Sequence, residues 1–255
     1  MSVVGPVLAL TVGLVLGLLG GGGSLLAVPI FHYVFHVPLK PAIAMSLVVV
    51  GMSAFIGFLT HWRQGTVTLR IAAMFGVLAM AGAFAGARIA GFVPARVQLA
   101  LFAIFALTAS VLMLRDAIRT PTSPTGVELV EHHPHFSSML GVQAVGVGLL
   151  TSIIGAGGGF IIVPALVLIG DVPVRCAVGS SLLIIAMNAT SGVAGYIGQV
   201  AFDWQLVAWF TGIAAVGAVI GTRVMRRLPA ARIKQGFAIM ILVLGAYMVI
   251  RGVRQ

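Results

Sequence analysis

The fold predicted for this chain is an all-α, polytopic membrane protein of two homologous repeats, each with one glycine-broken, re-entrant helix pair and three spanning helices. Composition selects the solvent: 60% of the 255 residues are hydrophobic, 8% are charged, and the mean hydropathy is +1.16, far outside the range of water-soluble domains. Internal repetition selects the architecture, because the sequence returns on itself at a distance of 135 residues. A glycine cluster inside the first apolar stretch of each copy selects the break, since glycine runs are poor helix interior.

The cluster Leu19-Gly20-Gly21-Gly22-Gly23-Ser24-Leu25-Leu26-Ala27-Val28-Pro29 reappears as Ile154-Gly155-Ala156-Gly157-Gly158-Gly159-Phe160-Ile161-Ile162-Val163-Pro164. Val37-Pro38 then matches Val172-Pro173, Lys40 matches Arg175, Ser46 matches Ser181 and Gln64 matches Gln199. Gly82, Gly86 and Arg88 match Gly217, Gly221 and Arg223. One residue inserted after Pro229 moves the offset to 136, at which Arg115 meets Arg251. The chain therefore divides into repeat 1 (1–118), a polar linker (119–138) and repeat 2 (139–255). A duplicated unit with an interrupted apolar segment in each copy is a transporter pattern.

In repeat 1 the apolar segments run from Val7 to Phe35, Ala42 to Thr60, Leu69 to Ala87 and Val97 to Leu114. In repeat 2 they run from Leu140 to Ile169, Ala177 to Ile197, Trp204 to Thr222 and Gly236 to Ile250. Three per copy approach the ~20 residues needed to cross a bilayer. The first is too long for one crossing and too short for two, so it reads as two half-length helices meeting at the glycines, one ending before Gly20 and the next beginning near Ser24. Pro29 and Pro164 suit an irregular half-helix or a turn equally well. Gly82 with Gly86, and Gly217 with Gly221, are GxxxG stripes that read as close helix contacts.

Charge placement addresses topology. Parallel repeats with four crossings each divide the Lys and Arg residues nine to six between the two sides; inverted repeats with a re-entrant first segment divide them ten to five. The second arrangement obeys the positive-inside rule better, placing the linker in the cytoplasm and both termini outside. The +10 net charge thus sits between and at the ends of apolar segments, with no basic domain to bind nucleic acid. No basic region or cleavage signal precedes the first apolar stretch, which is expected to stay in the mature chain. The single cysteine, Cys176, excludes an internal disulfide or a thiolate metal cage. His132, His133 and His135 lie around Pro134 in the linker and read as a solvated loop, so no metal or cofactor is expected.

The chemistry is expected at the breaks. A helix starting after Gly20, Gly21, Gly22 and Gly23, and again after Gly155, Gly157, Gly158 and Gly159, offers unpaired N–H groups and the positive end of its dipole to an anion. Ser24 can cap its helix or donate to an oxyanion. Ser46, Ser53 and His61 share one helical face, as do Ser181 and Asn188, and they line a polar pathway or bond helix to helix. Gln64, Gln199, Lys40 and Arg175 are the further pathway or gating candidates. None of the five acids, Asp116, Glu128, Glu131, Asp171 and Asp203, lies deep in an apolar run, so a buried carboxylate cannot be the coupling group.

The paired glycine segments, Gly20 to Ser24 and Gly155 to Gly159, each leading to Val-Pro, resemble the TauE/SafE sulfite exporter family. So do the stretches Val37 to Ala42 and Val172 to Ala177, and the resemblance spans nearly the whole chain. It implies export of sulfite, an organosulfonate or a related sulfur oxyanion across a bacterial inner membrane. The partners expected are a small anion and the lipid bilayer; a homo-oligomer stays open. A passive anion channel is the alternative function. An intramembrane hydrolase is a third, and would pair Ser24 or Ser181 with His61.

Overall fold

The computed structural model describes residues 4–94, 96–98, 100, 101, 104, 108, 138–154, 159–168, 172–225 and 227. All regular structure among them is helical: α1 (Val4–Leu19), α2 (Gly22–Pro29) with a π-helical turn (Ile30–Val34), α3 (Leu39–Trp62), α4 (Leu69–Ala90), α5 (Ser138–Ile154), α6 (Gly159–Leu168), α7 (Val174–Tyr196) and α8 (Trp204–Met225). Most of the linker, the segment Gly236 to Ile250, most of Val97 to Leu114, and Gly155, Gly157 and Gly158 lie outside the described residues.

Four helices, α3, α4, α7 and α8, are long and apolar enough to cross a membrane. Each extends past the apolar run that announced it, taking in Lys40, Arg88, Arg175 or Arg223, because a long cationic side chain can leave its stem on apolar surface and reach outward. Pro38 and Pro173 precede α3 and α7 in extended conformation and accept the first helical bonds, from Ala42 N at 2.9 Å and Ala177 N at 2.8 Å.

The first apolar segment is broken as expected. α1 closes with Gly20 N donating to Leu16 O (2.8 Å), Gly20 turns with a φ of 70°, and α2 runs back along α1. A methyl group at Gly23 would meet Val12 O and Leu16 Cβ, and Phe35 comes to lie against Gly5. The second helix starts at Gly22, earlier than expected, because Ser24 N and Ser24 Oγ both donate to Gly21 O (3.2 and 2.6 Å) and wind the first turn around it. Pro29 lacks an N–H for the regular ladder, and a π turn follows in which Phe35 N reaches Ile30 O at 3.2 Å.

Packing is organised by glycines. Methyl groups at Gly13 and Gly17 of α1 would overlap the Ala214 and Ala218 carbonyls of α8; Gly217 and Gly221 sit in the same way on Leu10 and Leu14. The same contacts recur between α4 and α5, where Gly82 and Gly86 rest on the Val145 and Leu149 carbonyls and Gly148 on Ala79. Both GxxxG stripes are thus close helix contacts. At the centre, α3 and α7 cross antiparallel: a Cβ at Gly51 would lie 2.7 Å from Ala189 Cβ, Gly57 lies against Leu182 and Gly192 against Leu47. They are the most enclosed of the long helices, 67% buried against 44% for α4 and 39% for α8.

Candidate functional site

The tip of the α1–α2 hairpin docks on α7. Ser181 Oγ lies 2.8 Å from both Gly20 O and Val178 O, so its one proton is shared between the hairpin and its own helix. Ser24, fully buried, spends its proton on Gly21 O and caps no N–H. Of the first-turn N–H groups of α2, that of Ser24 is taken by Gly21 O.

Polar groups continue from the tip along the enclosed faces of α3 and α7. Ser46, Ser53, His61, Ser180, Ser181 and Asn188 are each at most 1% exposed. Ser46 Oγ donates to Ile43 O at 2.7 Å, and Ser180 Oγ accepts from Thr68 N at 2.9 Å. His61 Nδ1 pairs with Thr66 Oγ1 at 2.8 Å, and its buried ring faces the Gly17 backbone. Ser53 Oγ and both polar atoms of Asn188 are buried and unpartnered. These two residues hold matching positions, 53 and 188, close to the Gly51–Ala189 crossing. Leaving such a group unpaired costs about 1–3 kcal/mol, so a seam of them is unusual in a core selected for stability alone. The opposite face of the same helix pair is a groove of about 490 Å³ with mostly apolar lining, including Val48, Met52, Phe55 and Met187.

The half-helices that follow the two glycine clusters, α2 and α6, touch one another, while the segments that lead into the clusters meet α7 at different heights. The first tip meets α7 at Val178 and Ser181; α5, which leads into the second cluster, ends against Gly192 and Tyr196. These points are 11 to 18 residues apart on α7, about 16–27 Å along a helix.

Three of the four other candidates have structural work. Lys40 Nζ donates to Gly91 O (2.6 Å), the residue that ends α4, and so neutralises a helix C-terminus. Arg175 is half-buried at the start of α7 and engaged. Gln199 Nε2 reaches Gly195 O (2.6 Å) and Ala87 O (3.4 Å), tying α7 to α4, whereas Gln64 keeps a buried, unpartnered Oε1. Tyr196 and Thr222 were missed. Tyr196, the counterpart of His61 at the 135-residue offset, is buried and donates to Ser152 O at 3.0 Å; Thr222 Oγ1 reaches Gly17 O at 3.4 Å. Reading the offset residue by residue would have found Tyr196. The Ser–His pairing of a hydrolase is not formed by Ser24, Ser181 and His61, which bond to Gly21, to Gly20 with Val178, and to Thr66.

The model of the "Sulfite exporter TauE/SafE" family matches residues 6–248. A "Probable membrane transporter protein" of Xylella fastidiosa is 32% identical, over 94% of this chain and 92% of its own. The "Probable membrane transporter protein YdhB" of Bacillus subtilis is 26% identical, over 87% and 89%. A "Probable membrane transporter protein" of Methanocaldococcus jannaschii is 25% identical, over 74% and 72%. No solved structure matches the chain.

Proposed function

The chain belongs to the TauE/SafE sulfite exporter family of membrane transporters, and from that premise we propose that it exports a small sulfur-containing oxyanion, sulfite or an organosulfonate, across a bacterial inner membrane. The route is the seam between α3 and α7. One observation carries it: Ser53 and Asn188, at matching positions on the central antiparallel pair, present buried hydrogen-bonding groups that find no partner among the described residues. The hairpin tip, with its helix-start N–H groups beside Ser181, is the entrance at one end of that seam.

The architecture we propose is an inverted duplication, repeat 1 (1–118) and repeat 2 (139–255) joined by the linker 119–138, with re-entrant first segments. The antiparallel crossing of α3 and α7 supports the inversion, and the glycine–carbonyl contacts recurring at the 135-residue offset support the duplication. The return of Phe35 to Gly5 supports the re-entrant hairpin. A carrier fits better than an open pore, because a pore would leave the Asn188 carboxamide wet.

Replacing Asn188 by leucine tests the route. On this reading the variant loses flux in proteoliposomes while its melting temperature in detergent holds or rises, since an unpaired carboxamide has been replaced by apolar bulk. Wild-type flux in the leucine variant would remove the seam from the pathway.

A further inference from the structure

Building on the transport reading above, we infer that the species passing the seam is a singly charged oxyanion that keeps a proton of its own to donate, the hydrogen form of a weak diprotic acid, and not a dianion. Two independent observations lead there.

The first is the placement of fixed charge. No Lys, Arg, Asp or Glu occurs within residues 7–35, 42–60, 71–87, 97–114, 140–169, 177–197, 204–222 or 236–250. The groups that titrate or carry charge on the helices packed against α7 are Lys40 and His61 on α3 and Arg70 and Arg88 on α4, with Arg175, Cys176 and Tyr196 on α7 itself; the elements packed against α3 add His32 and Tyr33 of the π turn and Arg223 of α8, and α1, α2, α5 and α6 carry none among the described residues. All of them stand at or near helix ends, while Asn188 lies in the middle of its helix. The cost of desolvating an ion grows with the square of its charge, so a dianion there costs about fourfold more than a monoanion. Without a facing cation, neutral dipoles must meet that cost.

The second is the kind of dipole. The unpartnered atoms include the Asn188 carboxamide oxygen, which only accepts, beside its NH₂ and the Ser53 hydroxyl, which donate. Whichever way the carboxamide is turned, one end accepts. A fully deprotonated oxyanion offers only lone pairs and would leave that oxygen facing negative charge. A hydrogen oxyanion satisfies both ends: its charged oxygens accept from Ser53 and the amide NH₂, and its O–H donates to the amide oxygen. Each such anion carries one proton with it, so efflux removes acid together with the anion.

The wild-type protein in proteoliposomes, with equal pH on both faces, provides the test. Sulfite, sulfate and methanesulfonate are the probes, followed across the pH interval in which hydrogensulfite loses its proton. Sulfate is a dianion throughout; methanesulfonate is a monoanion with no proton to give, and its flux reports any titration of His61 or another protein group. The expected result is sulfite flux that falls with rising pH in proportion to the hydrogensulfite fraction, with sulfate not moved. Methanesulfonate flux is expected to be level across the same interval and roughly five- to tenfold below that of hydrogensulfite, the worth of one hydrogen bond. Sulfite flux that is level or rising with pH, sulfate flux equal to that of sulfite, or a parallel fall of sulfite and methanesulfonate overturns the inference alone. No flux for any of the three overturns the transport reading and the inference with it.

Discussion

Gly20 cannot be changed without moving its neighbours. Its φ of 70° lies in the left-handed region, and a Cβ there would stand 2.8 Å from Ser181 Oγ and 2.9 Å from Val178 Cα. Gly20→Ala is expected to cost about 1–2 kcal/mol from backbone conformation, with a further loss from the overlap with α7. Gly65, with a φ of 69° and open space around it, supplies the comparison: Gly65→Ala should carry the conformational cost alone. Thermal unfolding in detergent measures the difference, and equal shifts for both would show that the tip is not clamped on α7. Lys40 calls for a different expectation. Because its ammonium is bound to Gly91 O, Lys40→Gln should lower stability by about 0.3–1 kcal/mol and leave the salt dependence of flux unchanged. A salt dependence that disappears in the variant would restore a steering role.

At the scale of elements, helix spacing is set by which glycine faces which carbonyl. On α5, Gly148 rests on the Ala79 carbonyl of α4, whereas Gly146, two residues earlier, faces open space. Gly148→Ala should therefore force α4 and α5 apart at a cost of about 1–3 kcal/mol. Gly146→Ala should be neutral or gain up to about 1 kcal/mol from helix propensity. Melting temperatures of the two variants check this, and a larger loss at Gly146 would contradict the packing described. The α1–α2 hairpin shows a related division of labour: Gly20 makes the reversal, Gly23 lets the returning helix lie on Val12 and Leu16, and Pro29 ends the regular ladder before the chain leaves for α3.

At the scale of the whole molecule, the proposed orientation of the repeats sets the topology. With inverted repeats, the linker and the loop between α7 and α8 lie on opposite sides of the membrane; with parallel repeats they share a side. In a Cys176→Ser background, Ala201→Cys, exposed in that loop, should react with an impermeant thiol reagent applied outside the cell, and Thr125→Cys in the linker should not. Labelling of both from outside would rule out the inversion. Such labelling also locates the first hairpin tip, which lies towards the end of the bundle carrying His61, Thr66 and the start of α7.

Membrane residence, helical class, the break in the first apolar segment and the family were all legible in the sequence, because each rests on properties local to a stretch of chain: hydropathy, glycine runs and motif spacing. The polar face of α3 and α7 was legible for the same reason, since Ser46, Ser53 and His61, or Ser181 and Asn188, recur at helical spacing. What each polar group bonds to was not. Ser24 turns to Gly21, Ser181 to Gly20 across 161 residues, and Lys40 to Gly91, while Ser53 and Asn188 find nothing. Nor could local pattern set the direction in which α3 and α7 cross. Helix direction is decided only when glycine faces from distant parts of the chain close on their partners.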